Sequence, residues 1–77
     1  MNAIEHEFGR IVRKHREKSG ISQEEFAAKA GVHRTYMSSI ELGKVQVSIG
    51  IAEKVANALE IPLSRIFREI ERGRDDA

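Results

Sequence analysis

Cysteine and tryptophan are missing from the 77 residues, proline and tyrosine occur once each, and no stretch is apolar throughout. Without cysteine there is no disulfide and no thiolate metal site, and the chain fits a reducing cytoplasm, its expected location. No run approaches the ~20 apolar residues of a membrane span. The start, Met1-Asn2-Ala3-Ile4-Glu5, is acidic and does not read as a signal peptide. There is no Gly-rich phosphate loop and no nucleotide fingerprint. His6, His15 and His33 lack a metal-ligand spacing. Ser22, Ser48 and Ser64 have no His/Asp partnership that would make any of them a nucleophile. The expectation is therefore no metal, no cofactor, no evident small-molecule ligand and no enzyme. No segment alternates in the manner of a strand, and neither repeats nor low-complexity tracts occur.

What is present is a hydrophobic fraction of 40%, enough for one small core. The net charge is only +1, but it is unevenly spread. Arg10 to Lys44 hold eight bases and four acids, whereas Val45 to Ala77 hold five bases and six acids. A basic N-terminal part permits one phosphate-facing surface.

Hydrophobic spacing predicts an all-α fold of five short helices. Ile4, Phe8, Ile11, Val12 and His15 recur at intervals of three and four, giving a helix over about 4–19 that ends at Gly20. Ser22, with Glu25 three residues on, forms a capping box for the second helix. That helix turns Phe26, Ala27 and Ala30 inward and stops at Gly31. The third runs from about Arg34 to Leu42, with Val32, Met37 and Ile40 pointing inward and Gly43 following. Ser48 caps a fourth, with Ile49, Ala52, Val55, Ala56 and Leu59 inside. Pro62 suits the first turn of a fifth, carried by Leu63, Ile66, Phe67 and Ile70 to about Arg72. Residues 1–72 thus form one domain, and 73–77 a short polar tail that is expected to fray.

The second and third helices are joined by Gly31, Val32 and His33 alone, so they must cross steeply, with Val32 plugging the corner. A helix held proud of a domain in this way can enter a major groove about 12 Å wide.

Phe8 to Phe67 resemble the DNA-binding domain of the lambda repressor and Cro class, the Xre-type helix-turn-helix family. The resemblance is carried by Gly20-Ile21-Ser22-Gln23-Glu24-Glu25-Phe26-Ala27, by Ala30-Gly31-Val32, and by Tyr36-Met37-Ser38-Ser39-Ile40-Glu41-Leu42-Gly43-Lys44. It continues through Leu59-Glu60-Ile61-Pro62-Leu63 to Ile66-Phe67. Within the family, Arg34-Thr35-Tyr36-Met37 and Ile40-Glu41 resemble the small controller proteins of restriction–modification systems. The chain departs from the family pattern at His15, His33, Leu42, Val47 and Gly50. Leu42 puts one phosphate contact in doubt, and Gly50 weakens the start of the fourth helix.

The resemblance implies a compact five-helix domain and a sequence-specific transcription regulator of double-stranded DNA, working as a homodimer on a two-fold operator. Arg34, Thr35, Ser38 and Ser39 would meet base edges, Arg34 by bonding two guanine atoms at once. Gln23, His33, Tyr36, Lys44 and Gln46 would meet phosphates. Arg16 and Glu41 would form a structural ion pair. The apolar surplus of Ile51, Ile61, Leu63, Ile66, Phe67 and Ile70 would form the dimer interface; the alternative folds Ile70 back onto Ile4 and Phe8 of the first helix and leaves a monomer. The alternative is a protein-binding antitoxin or adaptor, which would need a flexible extension to wrap its partner; the segment after Phe67 is short.

Overall fold

The computed structural model describes residues 3–75. Five helices follow one another: α1 (Ile4–Ser19), α2 (Gln23–Ala30), α3 (Arg34–Glu41), α4 (Ile49–Ala58) and α5 (Leu63–Asp75). No strand occurs among the described residues.

Local chemistry sets most of the boundaries. Gly20 and Gly31 close α1 and α2 in the left-handed conformation, at φ 75° and 72°. Ser22 and Ser48 accept from the amides of Glu25 and Ile51, each satisfying a free N–H of the first turn. At Ser22 only this hydroxyl half of the expected capping box is formed. Gly50 does not prevent α4 from starting, because the Ser48 cap precedes it.

Phe26, Met37, Ile40, Ile66, Ile70, Val12 and Val55 are fully buried, so every helix contributes to one core. Each such side chain contributes about 1.5–3 kcal/mol of burial. α1 packs against α3 on one side and α5 on the other, while α2 lies against α3 and α4.

Three sequence expectations need correction. Ile49, expected inside, is 81% exposed, because the inward arc of α4 is taken by Ala52, Val55 and Ala56. Ile66 and Ile70, expected at a dimer interface, are buried within the protomer's own core and have no surface to offer a second copy. The fifth helix runs on through Gly73 and Arg74 to Asp75, beyond its expected end at Arg72. Arg74 forks onto the Glu7 carboxylate of α1 there, a tether between the chain's ends that spacing does not reveal. The last two residues of the expected tail, Asp76 and Ala77, lie outside the described residues.

Candidate nucleic-acid interface

The candidate site begins at the turn between α2 and α3. Gly31 turns the chain, and the Val32 amide donates back to the Ala27 carbonyl at 3.0 Å. His33 then takes the capping role usually given to a hydroxyl or carboxylate. Its Nδ1 accepts the Thr35 amide at 3.2 Å, which leaves Nε2 facing out. The departure at this position is thus compensated by the imidazole itself.

On α3, Met37, Ile40 and Glu41 are buried, and the outer side carries Thr35, Ser38 and Ser39, with Arg34 exposed at its edge in the first turn. Arg34 and Thr35 are exposed at the first turn; Ser38 and Ser39 follow one turn later, half-buried. The structure therefore gathers the four expected base-reading residues on one face. Leu42 closes that face, 49% exposed, and offers no polar atom to a phosphate. Tyr36 lies half-buried beside the core, and Lys44 and Gln46 are exposed in the loop after α3.

Behind this face, α3 is clamped to α1 and α2 through a single carboxylate. The Glu41 side chain, 2% exposed, accepts from Arg16 Nε at 2.7 Å and Nη2 at 3.1 Å. Gln23 Nε2 reaches the same carboxylate at 3.1 Å, and Arg16 Nη1 donates to the Ile21 carbonyl at 3.1 Å. The hydrogen bond to Glu41 raises the Arg16 pKa against the opposing effect of burial, so the guanidinium stays charged. Gln23 thus commits one of its two side-chain N–H groups inside the protein, and the other N–H and its backbone amide remain for an outside ligand.

Two glycines complete the clamp, and the sequence reading missed the role of both. A Cβ on Gly9 of α1 would overlap the Ile40 carbonyl and come within 2.7 Å of the Glu41 carbonyl oxygen. A Cβ on Gly43 would lie 2.6 Å from the His6 Cα. Helix α1 therefore lies directly against the end of α3. An isolated glycine within a helical pattern is the signal that points to such a close approach.

Apart from Arg34 and Lys44, most of the basic excess of the N-terminal part does not converge on this face. Arg16 is internal, and Arg13 pairs with Glu17 at 3.3 Å on the surface of α1. Arg10, Lys14 and Lys18 line a groove against α5 instead.

With the geometry in place, the comparisons are specific. A helix-turn-helix family model matches residues 12–66, the span from the middle of α1 into α5. The chain is 48% identical over 73 residues to control protein C.MunI of a Mycoplasma species, covering 94% of this chain and 99% of the relative. It is 46% identical over 55 residues to control protein C.BamHI of Bacillus amyloliquefaciens, covering 70% of this chain and 68% of the relative. Among solved structures, the restriction-modification controller protein C.AhdI from Aeromonas hydrophila superposes with a TM-score of 0.80 at 34% identity, covering 84% of this chain and 98% of that chain.

This is an all-α DNA-binding transcription regulator, not an enzyme. The chain belongs to the helix-turn-helix family, in the Xre-type class, and control proteins of restriction–modification systems are among its similar relatives.

Proposed function

We propose that the chain is the control protein of a restriction–modification system, a cytoplasmic homodimer that binds a two-fold operator with α3 in the major groove. The observation that carries this reading is identity to a control protein along nearly the whole length of both chains. In this reading Arg34 and Thr35 reach base edges first, because they are exposed at the leading turn of α3, and Ser38 and Ser39 follow. Lys44, Gln46, the outward edge of His33, the hydroxyl of Tyr36 and the remaining atoms of Gln23 hold phosphates.

A single α3 reads few base pairs, so a second copy is needed for a genomic site. With Ile66 and Ile70 occupied in the core, the interface falls to Ile61, Leu63 and Phe67, joined by Ile51. All four keep some exposed surface, and Phe67 is 37% exposed. Phe67 also lines an apolar hollow with Ile4, Val47 and Ile49, which extends the patch across the start of α4. An apolar rim of this kind on a small domain suits a two-fold contact.

The test is selection of bound sites from random duplexes, with sedimentation at micromolar concentration. Paired half-sites about one helical turn apart, roughly 34–36 Å, and a dimer in solution are expected. Arg34→Ala should lower affinity for the selected site by about 1–3 kcal/mol and relax the preference at one base pair. Lys44→Ala should weaken all sequences alike and reduce the salt slope by about 1. Uniform weakening by Arg34→Ala would move Arg34 to the phosphate contacts.

A further inference from the structure

Helices α1 and α5 run antiparallel, since Glu7 meets Arg74 at one end of their contact and His15 meets Glu69 further along. Between them lies an open groove of about 470 Å3. One wall carries Arg10, Lys14 and Lys18; the other carries Arg65, Arg68 and Arg72. The register sets Arg10 across from Arg72, Lys14 from Arg68 and Lys18 from Arg65. Six of the chain's thirteen bases thus line one groove in a protein of net charge +1.

The only carboxylate in the lining is Glu69. It is already engaged by His15 at 2.9 Å, Arg65 at 3.3 Å and Lys14 at 3.4 Å. Arg10, Lys18, Arg68 and Arg72 form no ion pair among the described residues. Like charges held face to face repel unless an anion lies between them.

The rest of the lining limits what that anion can be. Apart from Ile11 and Gly73 it has no apolar residue, and its one ring, the His15 imidazole, is nearly buried and bonded to Glu69. A protein helix docking there would find little to cover its apolar side, and an unpaired base would find nothing to stack on. Each cationic row extends about 11–12 Å along its helix. Two such rows suit a convex ridge of regularly spaced charges, and a duplex backbone presents one, with a phosphate every 3.4 Å or so of rise on each strand. The row centred on Lys14 is turned by about 140° around α1 from Gly9, which faces α3. The groove therefore opens on a different side of α1 from the one that meets α3, which favours a separate stretch of duplex as its occupant.

We propose that the α1–α5 groove is a second, sequence-blind binding site for the phosphate backbone of a separate duplex segment. The inference rests on the DNA-binding class of the chain. In an assembly whose α3 helices occupy an operator, the grooves would hold another stretch of DNA behind it, so the protein bridges two duplexes.

The test is a two-duplex capture with the full chain. An immobilised duplex of random sequence, about 30 base pairs, is saturated with protein and washed, then offered a fluorescent duplex of the same kind. Wild type should capture the second duplex, with strong salt dependence. Arg10→Gln/Lys18→Gln/Arg68→Gln/Arg72→Gln should still load onto the immobilised duplex, yet lose capture by about tenfold or more, with a capture salt slope lower by about 3. Arg68→Glu/Arg72→Glu, checked by thermal melting, gives the same reading with fewer changes. Loading failure in wild type would count against the DNA-binding reading itself. Normal loading with no capture, or capture undiminished in both folded variants, would overturn the second site alone. Displacement by polyglutamate as effective as by duplex of equal charge would assign the groove to an acidic protein segment and overturn the proposal.

Discussion

The two sides of α1 are built on opposite principles. Toward α3 the helix is glycine-thin at Gly9, and its arginine is matched to a buried carboxylate whose hydrogen bonds come from α1 and α2. Along the groove it shares with α5 it presents cations to cations across open space, with Glu69 as the one anion in the lining. The first side fixes geometry: charge there is neutralised, desolvated and shared among three helices. The second leaves charge unneutralised, which costs stability and suits an external ligand. One helix therefore links a rigid clamp behind α3 to a groove in which cations outnumber anions.

The largest effect is expected from breaking the clamp. Arg16→Met strips the cation from a carboxylate that is 2% exposed and should cost about 3–5 kcal/mol in denaturant unfolding. Arg16→Met/Glu41→Leu should recover most of that loss, because no buried charge remains. A double variant as unstable as the single one would show that shape, not charge, holds α3 in place. Next comes Gly9→Ala. Its methyl meets backbone carbonyl oxygens that cannot step aside, and it should destabilise by about 3 kcal/mol. The same change at exposed Gly73, which has open space around it, should be neutral or stabilising.

The smallest effect belongs to the other side of α1. Burial pushes the Glu69 carboxyl up, but the hydrogen bonds and charges of His15 and Lys14 outweigh it and hold the pKa below the ordinary carboxylate range. A carboxyl with a depressed folded-state pKa adds stability above its unfolded value, about 4.3, and loses it as the pH falls through the lower folded value. Glu69→Gln should therefore cost about 1 kcal/mol at neutral pH and flatten the stability profile below about pH 4. An unchanged acid limb would mean that Glu69 does not hold the two helices together.

Much of this was legible from residue order because it rests on neighbours. Ser22 and Ser48 cap their helices, Gly20 and Gly31 end theirs, and the three-residue link aligns α2 and α3. Arg34, Thr35, Ser38 and Ser39 share a face because helical geometry puts residues four apart on one side. The errors arose where the reading depended on what lay opposite. Ile49 and Ile66 are both isoleucines at a plausible phase of their helices, yet one is 81% exposed and the other 0%. Period alone does not say how wide an arc the neighbouring helices cover. Basic residues that look like one cluster along the chain divide into an internal clamp, a surface pair and a groove, because each step along a helix rotates the side chain by about 100°.

Residue order sufficed for the helices, the Ser22 and Ser48 caps and the shared outer side of Thr35, Ser38 and Ser39, since each follows from hydrogen bonds and periodicity within a few residues. The partnership of Arg16 with Glu41 followed only from family resemblance, and packing alone gave its burial and the third partner, Gln23. Packing also decided that Gly9 is a contact point and that Arg10, Lys14 and Lys18 face Arg65, Arg68 and Arg72. Those groups are far apart in the chain, and their energies depend on distance and on the exclusion of water, which exist only once the helices have docked.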